Sequence, residues 1–184
     1  MKKLFLLAVI ALCGVTAFAQ KNASKSSNVY VGGGIGFQST SYDGNSNTAI
    51  TFSPEIGYKM SDKWGIGISL NYSENDTEDG KVTTFAINPY VRQNVLSWGQ
   101  IGLILDYQLL YKSQGPKDGK TNTLQAGIRP GLAMNINSKL SVVTHLGFVG
   151  YQSEKPDYDD AKATNIFAVK ADTRNIGLSI YYNF

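Results

Sequence analysis

The sequence predicts an all-β protein, namely an eight-stranded antiparallel up-and-down transmembrane β-barrel. First, segments of alternating apolar and polar residues recur along the chain, as expected of strands with one apolar face. Second, short connections between these segments alternate with long polar ones. Third, the last segment runs to the C-terminal residue. A strand in that place would leave an open sheet with an unpaired edge, whereas a closed barrel pairs it with the first strand.

Eight segments show the alternation, and each has the roughly nine or more residues that a tilted strand needs to cross a bilayer. They are Asn28–Gln38, Thr48–Met60, Trp64–Tyr72, Val82–Val95, Gly99–Tyr111, Thr123–Ile136, Leu140–Tyr151 and Asn175–Phe184. The seventh is the least regular, and its pattern places Phe148 on the apolar face and His145 on the polar face. In the eighth, Ile180, Tyr182 and Phe184 share the apolar face.

The connections predict which end of the barrel is which. Three are short: Ser61–Lys63, Leu96–Ser97 and Asn137–Lys139. Four are long and polar: Ser39–Asn47, Ser73–Lys81, Lys112–Asn122 and Gln152–Thr164. Transmembrane barrels have short periplasmic turns and longer extracellular loops, so both chain termini are expected on the periplasmic side.

The N-terminus has the layout of a secretory signal peptide. A basic start at Met1–Lys3 is followed by the apolar run Leu4–Leu12 and by the A-x-A site Ala17–Ala19. We therefore expect cleavage near Ala19, a flexible lead-in over residues 20–27 and a barrel domain over residues 28–184. A rival interpretation makes Cys13 a lipidated cysteine, but Leu12 stands where such signals have a small residue.

Composition excludes several classes of function. The formal charge is +3, and loss of Lys2 and Lys3 with the signal lowers it to 3 − 2 = +1, which gives no basis for nucleic-acid binding. Cys13 is the only cysteine, so the mature chain should have no disulfide and no cysteine-based metal or redox site. The 19 glycines and the 21 aromatic residues favour strands, turns and aromatic girdles over helices.

Alternation alone allows two barrels, because the apolar face points inward in a lipocalin-like soluble barrel and outward in a membrane barrel. The polar face here is rich in Gly, Ala, Ser and Asn and poor in the Lys and Glu that coat a soluble surface. The apolar face carries bulky aromatic side chains that the interior of eight strands would barely hold. These features favour a membrane barrel, in which Trp64 and Trp98, beside short turns, would form an aromatic girdle.

Several segments together resemble the small Gram-negative outer-membrane β-barrel family, which includes OmpX-like and OmpW-like proteins and the transmembrane half of OmpA. They are the leader, the strand pattern, Pro89–Arg92, the segment RPGLA at Arg129–Ala133 and the closing YYNF. The resemblance implies a location in the outer membrane, with lipid and lipopolysaccharide as surroundings. It also implies that Ile180, Tyr182 and Phe184 form the C-terminal signature that the barrel-insertion machinery recognises.

Six charged or titratable side chains are expected to face the barrel interior: Glu55, Lys59, Arg92, Asp106, Arg129 and His145. Buried charges must pair, so we expect a lumen charge network with little net charge. A barrel of eight strands leaves little free bore, which favours a structural plug. The alternative is a narrow gated or selective channel. We also expect Tyr30, Tyr90, Tyr151 and Tyr181 to fill the interior by covering glycines on neighbouring strands.

Enzymatic activity is not expected. Some outer-membrane barrels are hydrolases that use a Ser–His or Asp–His pair, and His145, the only histidine, would have to be the base. No serine motif accompanies it, so no catalytic residue is assigned. The acidic stretches Ser73–Lys81 and Gln152–Thr164 do not fit an EF-hand, so no metal site and no cofactor are predicted.

The sequence therefore predicts a structural or surface-interacting outer-membrane barrel with a polar, plugged lumen and functional extracellular loops. The alternative is a small OmpW-like porin or channel for small or apolar solutes. Nothing in the sequence identifies an extracellular ligand.

Overall fold

The computed structural model describes residues 28–42, 45–77, 80–116, 119–158, 160–171 and 178–184. Within these ranges the chain forms ten strands. They are β1 (Val29–Tyr42), β2 (Asn45–Lys59), β3 (Trp64–Thr77), β4 (Gly80–Trp98), β5 (Ile101–Gly115), β6 (Thr121–Asn135), β7 (Leu140–His145), β8 (Gly147–Pro156), β9 (Thr164–Ala171) and β10 (Leu178–Asn183). The expected leader and lead-in, residues 1–27, lie outside the described residues. No helix long and apolar enough to span a membrane occurs in the described part of the chain.

The ten strands make an eight-stranded wall. Strands β1 to β6 pair in sequence order, each antiparallel to the next. Both β7 and β8 pair with β6, so they are two halves of one wall strand that is interrupted at Leu146. Similarly, β9 pairs with β8, and β10 pairs with β7. Pairing of β10 with β1 completes the circle, so the predicted closed eight-stranded antiparallel barrel is confirmed.

The seam between the first and the last strand closes the barrel at the turn side. Tyr30 pairs with Asn183, and the register runs to Gly33 opposite Ile180. The amide of Phe184 donates to the carbonyl of Val29 at 3.1 Å. The last residues of the chain thus bond to the first strand, as a barrel without an edge requires.

The apolar face points outward and the polar face inward. Leu109, Leu124 and Tyr151 are about half exposed on the outside, at 58%, 56% and 49%. Inside, Asp106, Gln108 and Gln152 are buried. Apolar side chains facing out around a polar interior are the arrangement that a lipid environment requires and a soluble barrel reverses.

The long polar connections are shorter in the structure than the sequence predicts. The β1–β2 ladder continues to the pair Tyr42 and Asn45, and β3 and β4 stay paired to Thr77 and Gly80. Predicting loops there was wrong, because the hydrogen bonds of a ladder join backbone groups, which pair in polar stretches as well. Apolar alternation marks only the part of a strand that faces lipid.

The second predicted short turn is also misplaced. Strand β4 runs on to Trp98, past the predicted turn at Leu96–Ser97, and the chain reverses at Gly99 and Gln100. Gly99 has φ +58°, which a glycine adopts without strain. A register shift between Asn94 and Leu96 adds one residue to β4, and this bulge hides the strand's continuation from a strict period of two.

The break at Leu146 reverses the predicted faces of the following residues. His145 lies inside as predicted, but Phe148 is also inside, only 8% exposed, and Tyr151 is outside. The amide of Leu146 donates to the carbonyl of Pro130 at 2.9 Å while Gly147 starts a new pairing with Ala171. Because the chain passes two residues between inward positions 145 and 148, the alternation changes phase there.

Candidate functional site in the barrel lumen

The charged side chains of the lumen come from neighbouring strands at matched depth. Arg92 of β4 is the register partner of Asp106 of β5, and Asp106 is the partner of Arg129 of β6. Side chains directly opposite on one face lie close enough to interact. His145 reaches the same level from β7, and Glu55 reaches it from β2 across the lumen.

Arg92 and Asp106 form the main ion pair. The guanidinium donates from Nε to Oδ1 and from Nη2 to Oδ2, both at 2.8 Å, which is the bidentate geometry that makes such pairs strong. The Asp106 side chain is only 2% exposed. Glu55 Oε1 lies 3.6 Å from the same Nη2. Arg92 therefore holds two carboxylates at once in the middle of the barrel.

His145 is held by partners on both ring nitrogens. Its Nε2 lies 2.7 Å from Asp106 Oδ2, and its Nδ1 lies 2.7 Å from Arg129 Nη2. A guanidinium has no acceptor, so Nδ1 must accept and the ring proton must sit on Nε2, which donates to Asp106. The imidazole is therefore neutral in this arrangement, and its lone pair and its proton are both in use.

Three tyrosines surround Arg92, and two of them also bond Glu55. The Arg92 guanidinium carbon lies 4.9 Å from the ring centre of Tyr90, 5.5 Å from that of Tyr181 and 6.0 Å from that of Tyr30. The Tyr181 hydroxyl donates to Glu55 Oε2 at 3.0 Å, and the Tyr90 hydroxyl donates to Oε1. We call the set Tyr30, Glu55, Tyr90, Arg92, Asp106, Arg129, His145 and Tyr181 the central layer.

Glycines on adjacent strands make room for the tyrosine rings. Tyr30 lies over Gly57 and Tyr90 lies over Gly67, so closely that a Cβ on either glycine would overlap the ring. Tyr181 covers Gly32 in the same way. Of the four tyrosines predicted to cover glycines, only Tyr151 does not, because the phase change at Leu146 turns it outward. Phe148 takes that role over Gly127 and Gly150, a placement that no local pattern indicated.

Replacing Gly67 by alanine should displace Tyr90 and weaken the central layer. The added methyl group would occupy the position of the Tyr90 hydroxyl and ring edge, so we expect a loss of about 1–3 kcal/mol in the free energy of unfolding. Urea unfolding in lipid vesicles measures it. The double variant Gly67→Ala/Tyr90→Ala should lose less than the sum of the two single variants, since the overlap disappears with the ring. Additive losses would contradict the proposed contact.

The central layer separates two cavities of the lumen. The lower cavity, of about 410 Å³, lies at the turn end, where Lys59, Asp62 and Asn94 are among its walls and Tyr30, Arg92 and Tyr181 form its boundary. The upper cavity, of about 720 Å³, lies toward the hairpins, and Glu55, Arg129 and His145 form its floor. Arg92 lines the lower cavity and Glu55 the upper one, so their ion pair lies in the single layer of side chains between the two cavities.

The remaining predicted residues lie away from the central layer. Lys59 ends β2, and it is exposed and lines the lower cavity. Trp64 and Trp98 are exposed on the outer face at the turn end, and the Trp64 and Tyr107 ring centres are 6.3 Å apart. Trp98 is the last residue of β4 and directly precedes the turn. Ile180 and Tyr182 face outward, and the Tyr182 ring packs edge-on against Phe184 at 4.9 Å.

The acidic hairpin between β3 and β4 has an internal ion pair. Lys81 Nζ lies 2.5 Å from Glu74 Oε2, and the bond from Lys81 holds the pKa of Glu74 below its usual range. Glu78 and Asp79 of that stretch lie outside the described residues. Among the side chains that the structure describes, no three of the types His, Cys, Asp and Glu come together as metal ligands would.

Comparisons with known proteins agree with this architecture. A model of the family described as outer membrane protein beta-barrel domain matches residues 5–184. Neisserial surface protein A (NspA) has a similar structure, with a TM-score of 0.52 and 12% identity over 88% of this chain and 100% of that one. The translocator domain of the autotransporter NalP from Neisseria meningitidis gives 0.42 and 10% identity over 96% of each chain. No curated protein sequence matches.

Proposed function

Because the chain belongs to the outer membrane protein β-barrel domain family, whose members lie in the Gram-negative outer membrane, we propose that it is a structural and surface-interacting barrel with a closed lumen. The observation that carries this proposal is the central layer. The side chains of Asp106 and Arg92 are 2% and 12% exposed, two hydrogen bonds join them, and three tyrosine rings surround the guanidinium. A path for solutes would have to break these contacts.

The interacting part in this proposal is the extracellular end. The strands of two hairpins at this end, β1–β2 and β3–β4, are polar in sequence there and are joined by backbone ladders up to Tyr42 and Asn45 and up to Thr77 and Gly80. Lipid and lipopolysaccharide would surround the barrel, and exposed Ile180 and Tyr182, with Phe184, would be recognised by the insertion machinery. Secretion by a signal peptide cleaved near Ala19 is part of the same proposal.

We also propose that the barrel is not an enzyme. In His145, the one histidine, Nε2 donates its proton to Asp106 and Nδ1 accepts a hydrogen bond from Arg129. A general base needs a free lone pair directed at a nucleophile, and the hydrogen bond from Arg129 occupies that position.

The proposal predicts that the refolded barrel conducts no ions in a planar bilayer and that the Tyr181→Ala variant does. Tyr181 is 1% exposed and touches Tyr30, Glu55 and Arg92, so its removal leaves a gap between the two cavities. Discrete conductance steps should appear with this variant alone. The matched control is Tyr182→Ala, which removes the same ring from the outer face of the next position.

The channel alternative makes the opposite prediction for the unaltered protein. Conductance steps that change on Arg92→Ala would mean that small solutes pass the central layer, and the closed-lumen proposal would then be abandoned. The large cavities on both sides of a single layer are the feature that favours this alternative. A gel-mobility difference between unheated and boiled samples must first establish that each variant has folded.

A further inference from the structure

We propose that the upper cavity binds a small soluble organic anion. The acidic group of the ligand bonds the guanidinium of Arg129 at the floor, its hydroxyl or N–H groups bond Asn88, and Lys112 attracts it from the mouth. The proposal goes beyond a structural role and does not depend on conductance, since a site above a closed layer needs only one entrance.

Arg129, at the floor of the upper cavity, has a hydrogen-bond donor and a positive charge without a partner among the described residues. Its Nη2 bonds His145, but its Nε is buried without a hydrogen-bond partner among the described residues. No carboxylate oxygen of the described chain lies within ion-pair distance of its guanidinium. A buried donor on a full positive charge is costly to leave unpaired, and a carboxylate or phosphate oxygen is the partner that it binds best.

The carboxylates near Arg129 are already used by other groups. Both oxygens of Asp106 are bonded to Arg92, and Oδ2 also accepts from His145. Glu55 is bonded by Tyr90 and Tyr181 and lies beside Arg92. Both carboxylates are therefore ion-paired with Arg92. The positive charge of Arg129 is left to be balanced by an anion that enters the cavity.

Asn88 supplies the second polar anchor. Its Nδ2 donates to Gln108 Oε1 at 3.1 Å, whereas its Oδ1 is buried without a partner among the described residues. Asn88 and Arg129 line the same cavity. An unpaired acceptor and an unpaired cationic donor in the walls of one cavity suit a ligand that carries hydroxyl or N–H groups as well as an acidic group, such as a hydroxy acid.

Lys112 is the third element, and it lies nearer the cavity mouth. It also lines the upper cavity and has no carboxylate within ion-pair distance in the described part of the chain. It is six residues along β5 from Asp106, the register partner of Arg129, which is about 20 Å of strand. A small ligand on Arg129 does not bridge that distance, so Lys112 raises the local anion concentration and steers the ligand inward.

The test is a titration of the refolded chain in a neutral detergent, followed by the ¹⁵N-detected resonance of Arg129 Nε. The probes are tartrate, inorganic phosphate and the neutral polyol threitol, which has the carbon skeleton of tartrate. Ionic strength is held constant with sodium chloride. We expect saturable shifts with tartrate, weaker binding of phosphate because it leaves Asn88 unpaired, and no saturable shift with threitol.

The matched variants are Lys112→Gln and Lys59→Gln, which remove the same charge from the upper and lower cavities. Lys112→Gln should weaken tartrate binding about two- to fivefold, and Lys59→Gln should leave it unchanged. The proposal is overturned if tartrate shifts nothing, if threitol acts like tartrate, or if both variants weaken binding equally. An Arg129 resonance that does not respond to tartrate would mean that the acidic ligand does not reach this guanidinium. The titration of the unaltered chain decides this even if a variant does not fold.

Discussion

Asp106→Asn is expected to lower the free energy of unfolding of the barrel by about 3–5 kcal/mol. The substitution removes the one carboxylate that bonds both Arg92 and His145, at a position only 2% exposed. Arg92 then keeps a buried positive charge with only Glu55, at 3.6 Å, to balance it. Taking away one partner of a buried pair leaves the other charge desolvated and unpaired, which is the origin of the large cost.

Urea titration of the protein refolded into lipid vesicles measures this loss, with gel mobility reporting the folded fraction. The charge-matched control is Asp62→Asn in the exposed turn between β2 and β3, for which we expect a change within about 0.5 kcal/mol. If both variants unfold at the urea concentration of the unaltered protein, Asp106 does not anchor a charge network, and the central layer would have to be held by packing of the tyrosines alone.

Gly33→Ala should have the next largest effect and lower the free energy of unfolding by about 2–4 kcal/mol. Gly33 has φ +142°, a conformation that residues with a side chain rarely adopt. An added Cβ would also overlap the backbone carbonyl of Ser53 on β2. The residue pairs with Pro54 on one side and with Ile180 on the other, so the strain falls on the seam that closes the barrel.

Refolding yield and urea stability measure the effect of Gly33→Ala. Gly36→Ala is the control on the same strand, because its Cβ would meet Thr51 Cβ at 3.4 Å, an ordinary contact, and should cost nothing measurable. Equal behaviour of the two variants would show that the seam tolerates a side chain at Gly33 and that closure does not depend on its backbone.

The alternation of apolar and polar residues shows which face of a strand a side chain is on, but it does not show which residues of other strands that side chain meets. Alternation with a period of two is a local property, and it predicts that Glu55, Arg92, Asp106, Arg129 and His145 lie on the polar faces of their strands. The structure brings these five together. Lys59 is on the polar face of β2 but lines the lower cavity, below the central layer. Alternation gives the face of a strand and not the depth in the barrel at which a side chain lies.

Most of the wrong predictions of side-chain faces and strand ends come from irregularities in the strands. The bulge between Asn94 and Leu96 and the break at Leu146 each shift the alternation by one residue, and neither has a residue signature of its own. Phe148 and Tyr151 exchanged faces for this reason. The hairpin ends were missed because side-chain polarity reports what surrounds a strand, whereas the ladder depends on backbone bonds.

The sequence by itself determined the class of fold, the outward apolar face and the set of polar residues available to the lumen, because each depends on alternation along a single strand. Only the tertiary structure decided which of them bond. Arg92 and His145 are 53 positions apart in the chain, and they share Asp106 because the registers of four consecutive wall strands bring them to one level. In the part of the chain that the structure describes, that register also leaves Arg129 without an ion-paired carboxylate, since the oxygens of Asp106 already bond Arg92 and His145.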